Sequence, residues 1–190
     1  MNIFYVNPDA MIAAQMMVDR HVVKMILETS QLLSTAHRVL DGKMVVVPNE
    51  NGRKMKRWVL NDDRETKLYV ATHINHPSAI WCRETSANYQ WLYWHFVGLL
   101  DEYTHRYGKV HKCDAMKTVL SELPKSIKFG GFSEPTPAMD EQYIVKGDSL
   151  KSYMNYYKYG KAHLHVWTNR TPPGWIKDCL LYTSPSPRDS

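Results

Sequence analysis

A histidine, a lysine and a carboxylate, His21, Lys24 and Glu28, fall in one short run, and their offsets of three, four and seven put them on a single stripe of an α-helix. Val22, Val23, Met25, Ile26, Leu27, Leu32 and Leu33 fill most of the remaining circumference. A helix that is apolar nearly all round belongs inside a domain, and an unpaired buried charge is costly. The ionisable stripe must therefore face a partner, a cleft or a ligand. Two readings stay open. One is an i,i+4 ion pair between Lys24 and Glu28 with His21 hydrogen-bonded nearby. The other is a reactive amine beside a carboxylate and an imidazole, the set that nucleophilic and acid–base catalysis draw on.

The elements that must position this stripe follow from the local pattern. Asn2 to Val6 alternates and predicts a short strand. Asn7-Pro8-Asp9 opens a helix with Asn7 as N-cap, and the helical pattern runs to Leu40 with Gly42 as the stop. Its length predicts a break near Val18, with Asp19 capping the second part. Lys43 to Val47 and Lys54 to Leu60 flank an Asn51-Gly52 hairpin tip. Residues 61–75 read as a loop. Pro77 begins a short helix, and Ser86 caps a longer one that ends at Gly108. Asp114 to Leu123 gives a further short helix, residues 129–139 a Gly/Pro loop, and Asp148 caps a last helix. The fold class expected is mainly α (α+β), a helical single domain with a short N-terminal strand and a small β-hairpin.

The whole chain of 190 residues, 44% hydrophobic and 23% charged, suits one domain with a real core. A formal net charge of +5 with 12 Tyr and 6 Trp suits a phosphate-bearing partner without requiring one. No apolar run approaches the ~18 residues of a membrane span, and no signal peptide follows Met1, so no membrane partner is expected. Cys82 and Cys113 lack CxxC spacing, which points to a reducing, cytoplasmic compartment, that of a host if the chain is viral. Residues 179–190, from Cys179, read as the in-frame translation of a sequencing adapter and are expected to lie outside a domain of residues 1–178. His73 and His76 could join His21 and Glu28 around a metal, yet a metal needs three or four convergent ligands. The expectation is no metal and no other cofactor.

Three pieces of the chain resemble the pyrimidine-dimer DNA glycosylases, phage-type enzymes that also cleave abasic sites. Asp19-Arg20-His21 followed by Glu28 is similar to the family's Asp-x-His and catalytic glutamate. His76-Pro77, Trp81 and the stretch from Asn88 to Gly108 resemble the His-Pro, Trp and Arg-Gly-Tyr helix of bacterial relatives. Tyr156-Tyr157-Lys158-Tyr159-Gly160-Lys161-Ala162 resembles an aromatic Gly-Lys-Ala segment that lies against damaged DNA. The run from Ala13 to Met25 is also similar to phage proteins that share an AAQ and DRHVVKM pattern.

The resemblance implies a DNA partner and an imine mechanism: an amine attacks the sugar C1', the base leaves, and β-elimination cuts the strand. Glu28 takes the catalytic carboxylate's place, with His21 and Arg83 on phosphates or sugar. Trp81, Tyr157 and Tyr159 would stack on bases, and His76, Asn88 and Lys161 would line the DNA contact. Arg53 and Arg57 offer either a phosphate clamp or a charge-protected edge strand. In the family the nucleophile is an N-terminal amine exposed by removing the initiator methionine before a small residue. Here position 2 is Asn, so Lys24, expected among apolar neighbours that would favour its neutral form, is a second candidate. The alternatives are an enzyme acting on a free nucleotide or base, and a non-catalytic nucleic-acid-binding accessory protein.

Overall fold

The structure, a computed structural model, describes residues 1–177. The adapter-like run 179–190 lies outside the described residues. Two long helices carry the core. Helix α1 spans Ala10–Gln15 and α2 Asp19–Asp41, followed by strands β1, Lys43–Pro48, and β2, Lys54–Val59. Helices α3, Arg64–Lys67, α4, Pro77–Glu84, and α5, Ser86–Tyr107, come next. Two short helices, α6, Lys117–Ser121, and α7, Ser149–Asn155, precede a π-helical turn at Tyr156–Gly160 and a last helix, α8, Gly174–Lys177. The protein is thus mainly α with one small antiparallel hairpin, paired from Lys43↔Val59 to Pro48↔Lys54. No helix among the described residues is long and apolar enough to cross a membrane.

The helix breaks follow the local chemistry, with shifts at the caps. Asp9, not Asn7, caps α1: its carboxylate accepts the Met11 and Ile12 N–H groups at 2.9 Å, while Asn7 accepts that of Asp9. The break near Val18 is present, but Asp19 lies inside the first turn of α2 and spends its carboxylate on Arg106 and Thr168. Thr85, one residue ahead of Ser86, caps α5 through the Asn88 N–H. Gly108 ends α5 at φ +63°, a left-handed conformation that glycine adopts without steric cost.

The expected N-terminal strand is absent. Asn2 to Val6 is buried, but the Asn2 side-chain oxygen accepts the Ile3 and Phe4 N–H groups at 2.7 and 3.3 Å, closing a local turn in place of a ladder. Phe4 sits at φ +56°, which breaks the extended course a strand requires.

Helix α2 buries Val22, Met25, Ile26, Leu32 and Leu33 against Tyr89, Leu92, Phe96 and Leu99 of α5. Helix α1 crosses α5 at Gly98, where an added Cβ would lie 2.8 Å from the Ala14 Cβ, so only a glycine permits this approach. Arg38 of α2 is buried with its guanidinium donating to the carbonyls of Tyr69, Trp58, Glu65 and Leu68 and to the Glu65 carboxylate. It thereby pins the hairpin and the 64–69 segment to the C-terminal half of α2.

A second buried charge cluster closes the other end. Arg106 of α5 bonds Glu102 and Asp19 at 2.8 Å each, and Arg170 reaches the second oxygen of Glu102 at 2.7 Å. Burial opposes ionisation of Glu102, but hydrogen bonds from Arg170 and Arg106 outweigh it and hold its pKa below the usual value. Removing one partner of a buried pair typically costs about 3–5 kcal/mol. Arg106→Met is therefore expected to lower unfolding free energy by roughly that amount in urea titrations. A loss of under about 1 kcal/mol, the ordinary value of a surface pair, would show that the cluster is not structural.

Candidate active site at the N-terminal half of α2

The first residues of the chain run over α2 and are fixed at both sides. The Asn2 amide donates to the Ala138 carbonyl at 2.9 Å. The Phe4 ring stacks on His21 with centroids 4.3 Å apart and meets the edge of Tyr157 at 5.4 Å. Held this way, the Met1 amine lies 3.8 Å from Glu28 Oε2, the two side chains being 4% and 15% exposed. Lys24 Nζ is 3.1 Å from Oε1 of the same carboxylate. Glu28 thus stands between two amines.

His76 joins this group from α4. Its Nδ1 accepts the Ser78 N–H at 3.1 Å and caps the helix. Burial lowers the pKa of His76, and the terminal amine and His73 add to this, while Glu28 acts in the opposite sense. His73 is exposed and bonds Thr72 Oγ1 at 2.7 Å.

His21 lies two turns before Glu28, buried, with Nδ1 3.0 Å from the Tyr157 hydroxyl. Its pKa is pushed down to about 4, first by burial and then by Lys161, Lys24 and His163. The imidazole is therefore neutral near pH 7.

Several residues expected at a DNA contact are placed elsewhere. Trp81 is buried, donates its indole N–H to the Ser133 carbonyl at 2.7 Å, and meets the edges of Trp91 and Phe132. Tyr157 is buried as well, its hydroxyl tied to Val18 and His21. Neither offers a ring face to a base, because each packs into the core that the motif's order could not reveal. Asn88 is buried too, donating to the Trp81 carbonyl and Ser133 Oγ and accepting the Ser133 N–H, so its amide is committed to holding the 130–133 loop. Arg83 donates to the Ala79 carbonyl one turn back in its own helix.

Others remain on the surface. Tyr159 is exposed, with Lys158 Nζ 5.6 Å above its ring, and Lys161 Nζ lies 4.8 Å over Tyr156. Arg53 and Arg57 are exposed on the hairpin, which leaves α2 roughly 20 Å along its axis from Glu28. They form a surface of their own. Lys24 is 65% exposed, so the apolar surroundings expected around it are missing. Among the described residues no group of three or more His, Cys, Asp or Glu side chains could hold a metal ion.

Sequence reasoning missed the part that Asn2 and Phe4 play in bringing the chain's first residue to Glu28. Asn2 alone left a signal, as a turn-forming residue directly after Met1. Phe4 left none, since a positive φ is not written in a phenylalanine.

The neutral imidazoles make stability depend on pH. His37 and His95 are pushed down to about 4 as well, chiefly by burial. A histidine whose folded pKa lies below its ordinary 6.5 binds a proton more readily when unfolded, so its contribution is full above that value and is lost as pH falls towards about 4. Carboxylates held low are lost only below their own ordinary values near 4. Urea midpoints should therefore drop steadily between about pH 6.5 and pH 4.5, before the carboxylates titrate. A flat midpoint over that window would mean that these histidines are not buried neutral.

Against known proteins the chain matches no family model, no curated protein and no solved structure.

Proposed function

We propose that the protein is a DNA glycosylase and abasic-site lyase acting on damaged or modified pyrimidines, with the Met1 amine as nucleophile and Glu28 as the catalytic carboxylate. The observation that supports this most is the amine 3.8 Å from Glu28 Oε2. Such chemistry needs an amine that can give up a proton and a carboxylate beside the same carbon. The amine's lone pair bonds to C1' as the C1'–N bond to the base breaks. Opening of the sugar ring leaves an imine, whose electron demand allows the C2' proton to go to a base and the C3'–O bond to break. Water then cleaves the imine and returns the amine. Glu28 is placed to offset positive charge at C1' and to carry the protons.

Lys24 is the second candidate nucleophile. Its ion pair with Glu28 and its 65% exposure favour a supporting role, in which it holds the carboxylate's other oxygen. A free nucleotide or base is the second reading, favoured by the Glu28 side chain being only 15% exposed, which suits a small substrate.

Borohydride trapping on duplex DNA carrying an abasic site tests the reading. Wild-type protein and Lys24→Ala should both give a covalent adduct, and peptide mapping should place it on the first residue. Glu28→Gln should slow trapping by roughly 10²–10⁴-fold, the usual scale of a lost acid–base group. Trapping should weaken steeply with salt if a duplex is bound. Absence of any adduct from folded, DNA-binding protein would sink the lyase reading. A salt-insensitive activity on free nucleotides would favour the second.

A further inference from the structure

The hairpin has one basic strand and one nearly without charge. Lys54, Lys56 and Arg57 lie on β2, with Arg53 at the turn before it, whereas β1 continues after Lys43 as Met44-Val45-Val46-Val47-Pro48. The two edges also differ in what covers them. The Trp58 carbonyl accepts from Arg38 Nη1 at 3.0 Å, and the Leu60 N–H, just past β2, donates to Glu65 Oε2 at 2.8 Å. The edge of β2 is therefore partly closed by α2 and the 64–69 segment. On β1, Met44 and Val46 are 46% and 55% exposed.

The same bonds fix the phase of the ladder. In an antiparallel pair, alternate residues turn both N–H and C=O towards the partner strand, and the residues between them turn both away. Trp58 and Leu60 direct theirs away from β1. With Met44 paired to Trp58 and Val46 to Lys56, it is Met44 and Val46 that turn theirs to the free edge. The Asn49 N–H on the Arg53 carbonyl at 2.8 Å keeps this phase at the turn. Edge strands are ordinarily guarded by a charge, a bulge or a cover. Here Lys43 comes before the open stretch and Pro48 after it, with nothing between.

We propose that β1 is a docking edge for a second copy of this chain, the two strands pairing antiparallel about a two-fold axis at Val45. Met44 then lies opposite Val46 of the second copy and Val46 opposite its Met44, so every N–H and C=O that these residues turn outwards is bonded. Pro48, with no N–H to give, falls opposite Gly42 of the second copy, whose N–H is already given to the Arg38 carbonyl. An axis at Val46 would instead set Met44 against Pro48 and leave the Met44 carbonyl without a donor. Charge selects the same edge. Pairing through β1 keeps the two basic strands outermost, three strand spacings or ~14 Å apart, beyond the ~8 Å screening length at physiological salt. Pairing through β2 would set Lys54, Lys56 and Arg57 against their own copies. One strand pair makes a small interface, so the dimer forms as concentration rises. The edge serves this role whether or not Glu28 is catalytic.

Sedimentation velocity on the full chain at physiological salt, over a wide range of concentration, tests the association. The wild type should pass from monomer to dimer. Val46→Lys, at an exposed position, should keep the fold by circular dichroism and weaken association roughly tenfold, because the two-fold axis repeats the change on both strands. Cysteine pairing reads the register. An axis at Val45 sets the two Val45 Cα atoms about 4.5 Å apart in a non-hydrogen-bonded pair, within reach of a disulfide. Under air oxidation Val45→Cys should cross-link two chains, with the bond mapped to position 45 by peptide mass, and Val47→Cys should not. A chain that stays monomeric throughout, a dimer indifferent to Val46→Lys, or a Val47→Cys that cross-links as readily as Val45→Cys would each overturn the proposal. So would Met44 and Val46 amides that gain protection from exchange only when nucleic acid is added, which would give the edge to another occupant. Should Val45→Cys fail to fold, the wild-type association and its response to Val46→Lys decide the matter.

Discussion

Helix α2 is buried along most of its length and yet carries ionisable groups, and the need to partner each of them shapes the molecule. An uncompensated charge in the interior costs more than most single contacts return. Arg38 meets this by gathering carbonyls and a carboxylate from the hairpin and the 64–69 segment. Asp19 meets it through Arg106 and Thr168, and His21 through Tyr157. Glu28 is the carboxylate met by two amines in place of an arginine. These partnerships, with that of Arg64 for His37 and Asp41, hold the helix from both ends and leave Glu28 at its middle.

The chain's start depends on that helix in turn. Asn2 turns the backbone and anchors it to Ala138, and Phe4 accepts a left-handed conformation in order to stack on His21. A bulky aromatic at φ +56° is held against its preference, so packing on both ring faces and edges must over-determine it. Strain of this kind concentrates where a chain segment has to be presented at one place. Here the segment presented is the amine facing Glu28. The π-helical turn at Tyr156–Gly160 is the matching irregularity on the far side of Phe4, and it sets Tyr157 inward and Tyr159 outward.

Aromatic residues show why motif order is a poor guide to contact. Trp81 and Tyr157 fall in stretches that resemble DNA-facing segments, but each fills the core and uses its polar atom on the backbone. A large aromatic with one polar edge is as well suited to a core that has one carbonyl or N–H to satisfy as to a nucleic-acid surface. Only the packing distinguishes the two.

Sequence alone determined the helical class, the hairpin with its Asn51-Gly52 tip, the long helix ending at Gly42, and the shared face of His21, Lys24 and Glu28. These follow from period, turn chemistry and caps, which act over a few residues. It also left legible the i,i+4 pairing of Lys24 with Glu28. What only the tertiary structure decided is everything that joins distant residues: the Met1 amine at Glu28, Tyr157 on His21, and Arg106 between Asp19 and Glu102. Those contacts arise because buried polar groups must find partners wherever the packed helices bring them, and no local pattern records which partner that is.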